Sequence, residues 1–462
     1  MSSKPLDLVR GLGPWSSAAI VVGTMIGTGI FIVPADMART AGSVGLVMIV
    51  WIIGGALTLF GALSYAELGA ALPEAGGEYA YLRRAISPTW GYLFGWMHSI
   101  IGRPVSIATL AAGLLRFWGF LSPSVATPIF TWHIQPPFGS APYTFVFTWA
   151  QPLAVLAIAA VTFINCLGVR MGGRVQVGFT IIKIASVVAV VAIGFALGRG
   201  NTGNFHPLLA PAGSTTLAGF FVALVGALWA YDGWSNISLV GSEVMDPQKN
   251  IPRALGGGVA TVAVLYILMT LACFYVLPFG AVASSAHVAS DVIEHVTGRG
   301  TATWLTLAMI VCALGSMNSS ILSGARVDYA MARDHLFFPS LAAVDPKYRV
   351  PMRALIFQGS LASLLALTGT FEELYSLFIF AGWIFYGLTT ASVFWLRRKE
   401  PDLPRPYRTW GYPVVPALFV IGALALTASL WLDRPWRCTI GLALILVGLF
   451  FRRAWEPKPQ TL

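Results

Sequence analysis

Two long apolar stretches of the chain are interrupted near their middles by glycine and polar residues. The first interruption reads Gly-Thr-Met-Ile-Gly-Thr-Gly-Ile-Phe over residues 23–31, and the second reads Trp-Ala-Tyr-Asp-Gly-Trp-Ser-Asn over residues 229–236. Where a half-helix starts after such a break, its backbone N–H groups lack partners and form the positive end of a dipole, which suits a carboxylate. Thr28 and Gly29 are the predicted donors.

The opposite polarity arises where the preceding half-helix ends. Carbonyl oxygens left unpaired there suit an ammonium group, which can donate three hydrogen bonds. Met25 and Trp229 are the candidate acceptors. Two breaks that meet would hold both ends of a zwitterion, with its side chain in the space lined by Trp229, Tyr231 and Trp234. This chemistry predicts an amino acid as the ligand.

Two ionisable residues lie within apolar stretches. Asp232 could sharpen recognition of an amine, take up a proton or hydrogen-bond to the unwound backbone, because its ionised form is costly in a bilayer without a partner. Lys183 lies roughly 12 Å deep, about eight residues into its stretch at about 1.5 Å per residue. It either snorkels to the interface along its stem or has a buried partner, for which Ser319 and Ser320 are candidates. A fixed ammonium at that depth could replace a bound cation.

The other titratable residues indicate structure rather than chemistry. Arg103 precedes Pro104, and its guanidinium is predicted to satisfy a carbonyl that the proline frees; Glu67 is ambiguous. The histidines follow no metal-binding spacing, and the sequence has no GxSxG motif, no Walker A lysine and no paired intramembrane aspartates. We therefore expect no enzyme, no catalytic residue, no metal and no cofactor.

The elements that must position these residues are membrane-spanning helices. Of the 462 residues, 56% are hydrophobic and only 10% are charged, a balance that excludes a soluble globular protein. Apolar runs of about 18 residues or more, long enough to cross a bilayer, recur about twelve times. The predicted spans are residues 15–39, 44–72, 90–121, 147–167, 175–197, 217–241, 254–277, 301–332, 354–368, 374–396, 414–432 and 436–451.

The basic charge of the chain orients it. With the N-terminus inside, about 21 of the 29 Lys and Arg residues fall in inner loops and tails and about 6 fall outside. The net charge of +10 is thus explained without a nucleic acid partner. We expect both termini in the cytoplasm and the chain in a plasma membrane of the bacterial inner-membrane type.

The two breaks lie five spans apart, which is typical of transporters built from inverted repeats with substrate bound at the midplane. Glycines that merely allow close helix packing are the alternative. The prediction is an all-α protein of twelve transmembrane helices, five plus five inverted and two extra, with helices 1 and 6 unwound. Its segments are a tail at 1–14, repeats at 15–200 and 201–398, the last two helices at 399–452 and a tail at 453–462.

The whole chain resembles the L-type amino acid transporters of the amino acid, polyamine and organocation superfamily. In the family's order it contains Gly-Thr-Met-Ile-Gly-Thr-Gly-Ile-Phe at 23–31, Tyr-Ala-Glu-Leu-Gly at 65–69, Gly-Gly-Glu-Tyr-Ala-Tyr at 76–81, Ala-Tyr-Asp-Gly-Trp at 230–234 and Gly-Ser-Met-Asn-Ser-Ser at 315–320. The resemblance implies a leucine-transporter-like fold, sodium-independent exchange by alternating access, and a lysine of the fifth helix at the vacated cation site.

Carried over by position, the resemblance completes two sets of residues. The cation-site set is Lys183 with Gly23, Ile26, Ser319 and Ser320. The substrate set is Met25, Thr28, Gly29, Trp229, Ala230, Asp232, Gly233 and Ser235. Trp229 and Asp232 stand where animal members commonly have Phe and Gly, which predicts smaller neutral substrates. The stretch 122–144 lacks the external cysteine that joins animal members to a heavy chain, so no disulfide-linked partner is expected.

The sequence leaves three readings open. The main hypothesis is an antiporter of small neutral L-amino acids. The second is a proton-coupled symporter, or a carrier of cationic amino acids or polyamines, in which Asp232 supplies the proton site or counter-charge. The third is a membrane-embedded enzyme, or a membrane sensor that binds an amino acid without moving it.

Overall fold

The computed structural model describes residues 7–134, 143–197, 200–209, 217–285, 287–298, 300, 302–368, 371–433 and 435–455. Nearly all of them are helical, because an apolar chain in a bilayer must satisfy its backbone N–H and C=O groups internally. The helices are α1 Pro14–Met25, α2 Val33–Ala41, α3 Val44–Ala71, α4 Glu78–Ala85, α5 Pro88–Met97, α6 Arg103–Leu121, α7 Ala150–Cys166, α8 Val169–Ala196, α9 Leu217–Ala230, α10 Asn236–Leu239, α11 Pro247–Val276, α12 Phe279–Ser284, α13 Val288–Thr297, α14 Ala302–Arg333, α15 Met352–Thr368, α16 Phe371–Lys399, α17 Val414–Asp433 and α18 Pro435–Trp455.

Eight of the described helical stretches are long and apolar enough to cross a membrane: α3, the continuous stretch α5–α6, α8, α11, α14, α16, α17 and α18. Three shorter apolar helices, α7, α9 and α15, lie between them. Helices α1 and α2 together form the predicted first span, broken in the middle. The helical membrane fold is confirmed, while the number of twelve spans stays a prediction.

Helices five predicted spans apart pack against each other. The second span α3 lies along α11, the third span α6 along α14, and the fourth span α7 along α15. Because every crossing reverses the chain, partners five spans apart run in opposite directions. This is the pairing expected of inverted repeats. The segment boundaries proposed from the sequence stay predictions, and residues 1–6 and 456–462 of the two tails lie outside the described residues.

A short hairpin departs from the all-helical pattern. A 3₁₀ turn at Pro123–Ala126 leads into strand β1, Pro128–Ile134, which pairs antiparallel with β2, Tyr143–Thr148. Strand β1 lies between the third and fourth predicted spans, and the end of β2 overlaps the fourth predicted span, which was placed at 147–167. Its strands are rich in aromatic and β-branched residues, a composition that favours strand pairing.

The first and last described residues lie on one face of the bundle. Asp7 forms an ion pair with Arg333 at the end of α14, at 3.2 Å, and the ring of Trp455 in α18 lies 6.1 Å from that of Phe337. We call this the terminal face. Glu67, ambiguous in the sequence, accepts a bond of 2.7 Å from Arg397 near the same face, so its role is structural.

Candidate functional site

The first break separates α1 from α2. Helix α1 ends at Met25, a 3₁₀ turn follows at Gly29–Phe31, and α2 starts at Val33. In the described backbone, the amides of Thr28 and Gly29 donate to no other backbone group. These two N–H groups are thus the orphan donors that the sequence predicts at the start of the second half-helix.

The second break separates α9 from α10. Helix α9 ends at Ala230, five residues form a turn, and α10 starts at Asn236. Gly233 in this turn has a φ of +96°, and a Cβ added there would collide with the side chain of Thr24 in α1. Glycine is needed for both reasons, and it allows the two breaks to touch.

The two breaks enclose a cavity of about 80 Å³. It is lined by Thr24, Met25, Gly27, Thr28, Gly29, Arg103, Ser106, Thr109, Leu110, Trp229, Ala230, Asp232, Gly233, Asn236, Ser316 and Ser320. Seven of the eight residues predicted to bind substrate are among them. The exception is Ser235, which is buried behind the cavity and faces Glu78.

Larger hollows, of about 630 and 700 Å³, lie at the hairpin and between α7 and α15. Their linings are mostly apolar, with few polar groups converging on them, whereas the smaller cavity at the breaks collects unpaired backbone donors, hydroxyls and charges. A binding site for a polar ligand needs such convergence more than volume.

The carbonyl oxygens of Met25 and Trp229, which the sequence predicted to be unpaired, both accept hydrogen bonds. The oxygen of Met25 accepts bonds from the amide of Gly27, at 2.7 Å, and from the hydroxyl of Tyr266, at 2.6 Å. The oxygen of Trp229 accepts from the amide of Asp232 at 3.1 Å. The break closes into turns that use these acceptors, so the prediction of free carbonyls at both positions is corrected.

Tyr266 is a functional residue that the sequence analysis missed. Its hydroxyl, carried by α11, lies 2.6 Å from the oxygen of Met25 and 3.0 Å from that of Ala230, so it touches both breaks. A phenol has one proton, so it donates to only one of these oxygens at a time. One tyrosine within an apolar helix has no sequence signature that would have revealed this position.

Asp232 projects from the second break towards two polar side chains. Its Oδ1 accepts a hydrogen bond of 2.9 Å from the hydroxyl of Tyr386 in α16. Arg103, which also lines the cavity, is the cation that faces this carboxylate. Asp232 therefore belongs to a buried charge network and is not isolated in the membrane.

Arg103 does not have the role predicted for it. Its guanidinium donates to Oδ1 of Asn236 at 2.9 Å and to Nε2 of His98 at 3.3 Å. The chain forms a π-helical turn at His98–Gly102, just before Pro104. This turn accommodates the proline, which has no backbone N–H to donate. Arg103 therefore ties the third span to the second break.

Lys183 is buried completely and joins three helices. Its Nζ donates to the oxygen of Gly23 in α1 at 2.5 Å and to the Oγ of Ser316 in α14 at 2.8 Å. The Ser316 hydroxyl also lies 3.3 Å from the oxygen of Thr24. A Cβ added at Gly315 would come 2.7 Å from Cε of Lys183, so glycine there makes room for the lysine.

The remaining members of the predicted cation-site set lie close by but contact other groups. Ser319 pairs with Thr24, Ser320 lines the cavity, and Ile26 caps α1. Ser316 takes the place expected for Ser319 and Ser320. All three serines lie on one face of α14, since helical neighbours recur at three and four residues, and this spacing was the available signal.

The terminal face closes the cavity from one side. The carboxylate of Glu243 and the guanidinium of Arg326 form a fully buried pair at 2.6 Å. The backbone oxygen of Glu243 accepts hydrogen bonds from the amides of Gly11 and Leu12. The amide of Gly76 donates to the oxygen of Leu239 directly after α10. Side-chain and backbone bonds therefore hold the N-terminal segment and the second break together.

A polytopic helical bundle with two opposed breaks around a small buried cavity is the architecture typical of secondary transporters. The profile of the amino acid permease family matches residues 12–448, and the chain belongs to this family. Its relatives are transporters rather than enzymes, and the L-type resemblance read from the sequence is confirmed.

Three relatives cover nearly the whole chain. The b(0,+)-type amino acid transporter 1 of Mus musculus is 31% identical over 451 residues, which are 97% of this chain and 88% of that protein. The serine/threonine exchanger SteT of Bacillus subtilis (strain 168) is 29% identical over 452 residues, 97% of each chain. The large neutral amino acids transporter small subunit 2 of Mus musculus is 31% identical over 464 residues, 98% of this chain and 83% of that protein.

Proposed function

We propose that this permease exchanges small neutral L-amino acids across the membrane, without sodium, by alternating access. The observation that carries the proposal is the pair of opposed breaks around one buried cavity, with unpaired amides at Thr28 and Gly29. Such amides at the start of a half-helix suit a carboxylate in a low-dielectric site.

The ammonium group of the substrate contacts backbone carbonyl oxygens at the breaks, which have the opposite polarity to the amides. Tyr266 has one proton for the oxygens of Met25 and Ala230, so one of the two can accept from the substrate when the hydroxyl turns to the other. The Trp229 ring lies against Gly29, next to the amides, where it limits the side chain. A volume of about 80 Å³ holds on the order of five waters, which suits a small amino acid.

Sodium independence follows from Lys183. Its ammonium donates to an oxygen of α1 and a hydroxyl of α14, the groups that would otherwise ligate a cation between these helices. A lysine fixed there by two hydrogen bonds supplies a positive charge from the chain itself, so no ion needs to bind before the substrate does.

One relative supports the choice of exchange and of small substrates. SteT is named a serine/threonine exchanger, and its 452 matched residues cover 97% of both chains.

The terminal face is the cytoplasmic side of a bacterial-type plasma membrane, in agreement with the excess of Lys and Arg in the inner loops. All four cysteines are buried, which argues against a disulfide to a heavy chain.

The test is counterflow in liposomes that contain only this protein. Vesicles loaded with one unlabelled L-amino acid are diluted into labelled alanine, serine, leucine or arginine, in sodium or in choline buffer. We expect accumulation of alanine and serine at equal rates in both buffers. Dependence on sodium would refute the proposed role of Lys183, and saturable binding without any uptake would show a sensor.

A second function is supported by Asp232, a carboxyl group that lines the cavity. It would serve as counter-charge for a cationic amino acid or polyamine, or as a site for a cotransported proton. Arg103 faces it, however, and Tyr386 hydrogen-bonds to it, so its charge is already partly balanced. Arginine uptake that exceeds alanine uptake and disappears in Asp232→Asn would establish this alternative.

A further inference from the structure

A carboxyl group deep in the bundle has no part in the substrate site. Asp328 in α14 is 0% exposed, and neither of its oxygens has a hydrogen-bond partner among the described residues. The hydroxyl of Ser99 lies close to this carboxyl, but it does not reach hydrogen-bonding geometry with Asp328, and it is 4.0 Å from the sulfur of Met331. Because an ionised carboxylate is strongly unfavourable when it is buried without a hydrogen bond, this position favours the neutral, protonated form of Asp328.

The charge around Asp328 gives the same result. Arg103 is the cation that acts on three buried carboxyl groups, those of Asp328, Asp232 and Glu78. Three ionised carboxylates and one guanidinium would leave a net charge of −2 in the membrane. His98 cannot balance it, because its Nε2 accepts a hydrogen bond from Arg103 and so holds no proton. No other charged group faces Asp328 in the part of the chain that the structure describes.

Asp328 lies on the terminal-face side of the substrate cavity. It lies eight residues beyond the cavity-lining Ser320, about 12 Å along α14. A Cβ added at Gly324, halfway between them, would meet the stem of Arg103, which thus separates Asp328 from the cavity. On its other side a hollow of about 450 Å³ at the terminal face is lined by Tyr329, Arg333 and other residues within two turns of Asp328.

We propose that Asp328 is a proton-binding site that controls opening of the terminal face. The site holds a proton while that face is closed. When the face opens, water reaches the carboxyl, the proton leaves to the solution, and the carboxylate pairs with Arg103. Closing then requires a proton from the same solution. This inference rests on the proposed transport function and adds a proton requirement to one of its steps.

The sign of the pH effect follows directly. At acid pH the open state regains its proton quickly and the cycle proceeds. As the pH rises through the pKa of Asp328 in the open state, closing becomes slow and exchange falls, by up to about tenfold for each pH unit, the limit for one titrating group. In Asp328→Asn the side chain is always neutral, so its exchange rate is the same at acid and alkaline pH.

The experiment measures exchange of labelled L-alanine in liposomes with equal pH inside and outside, from pH 5 to pH 9. Asp328→Asn is compared with the wild type and with Asp402→Asn, a matched change at an exposed position. Asp328→Leu serves as a second neutral variant if the first does not fold. We expect the alkaline fall in the wild type and in Asp402→Asn, and a flat profile in the Asp328 variants.

A second readout needs no transport. Infrared spectra of the purified protein at pH 7 should contain the carbonyl stretch of a protonated carboxyl that is missing in Asp328→Asn and present in Asp402→Asn. A flat wild-type profile, an Asp328→Asn profile that falls like the wild type, or identical infrared spectra would each overturn the proposal. Failure of exchange at every pH, with the infrared band present, counts against the transport function instead.

Discussion

Replacement of Lys183 by methionine tests the central coupling of the site. Methionine retains most of the length of the lysine stem and removes both hydrogen bonds of Nζ, to the oxygen of Gly23 and to the Oγ of Ser316. Helix α8 then loses its charged connection to α1 and α14, while the hydrogen bonds of Gln176 and Thr180 to these helices remain. The helices stay packed through their apolar contacts, so the change acts on coupling rather than on assembly.

The size of the effect can be worked out from these two bonds. A hydrogen bond to a charged group contributes about 1.5–3 kcal/mol, so the pair contributes roughly 3–6 kcal/mol. Burial of the ammonium costs several kcal/mol, which the methionine variant recovers, so the stability of the fold should change little. Exchange should change far more. If about 3 kcal/mol of the coupling exists in only one state of the cycle, the rate falls about 100-fold.

The assay is counterflow of alanine at saturating substrate, with the amount of folded protein checked by gel filtration. Lys249→Met is the matched control, because Lys249 is exposed at the start of α11. It should exchange at the wild-type rate. Exchange within about twofold of wild type by a well-folded Lys183→Met variant would refute the reasoning. A requirement for sodium in the wild type would refute it as well.

Three further substitutions test other parts of the site. Trp229→Phe should allow larger side chains, with leucine counterflow rising relative to alanine; an unchanged ratio would place the size limit elsewhere. Tyr266→Phe removes the hydroxyl shared by the two breaks and should raise the KM for alanine roughly tenfold, since such a bond contributes about 1–1.5 kcal/mol. Arg326→Met should destabilise the protein by about 3–5 kcal/mol in thermal unfolding, because it leaves Glu243 buried and unpaired, and adding Glu243→Leu should restore most of that loss.

The sequence predicted the two breaks because their signal is local. Glycine and aspartate within apolar stretches are unfavourable for a continuous helix in lipid, and the structure ends α1 at Met25 and α9 at Ala230, within these motifs. The spacing of five spans between the motifs predicted that they belong to equivalent halves. The prediction that Thr28 and Gly29 supply free amide donors followed from the polarity of a helix start alone.

Other contacts depend on tertiary geometry that no motif contains. Whether Ser316 or Ser319 reaches Lys183 depends on the rotation of α14 about its axis and its height against α8. The bridging hydroxyl of Tyr266 comes from α11, and Arg103 finds Asn236 rather than a carbonyl because the π-turn has already satisfied the backbone. The hairpin was missed since its strands are joined through a long connection without a short turn signal.

The contacts that close the terminal face support the proposed exchange over transport by a carrier that returns empty. Opening that face must separate the buried pair of Glu243 and Arg326 and break backbone bonds such as that from Gly76 to Leu239. An empty cavity leaves the amides of Thr28 and Gly29 unsatisfied, whereas a bound carboxylate satisfies them as the half-helices rearrange. Substrate binding therefore offsets a cost that the empty protein has to bear alone. Because a ligand can shift a conformational equilibrium only by its differential affinity for the two states, this difference favours transitions of the loaded protein in both directions.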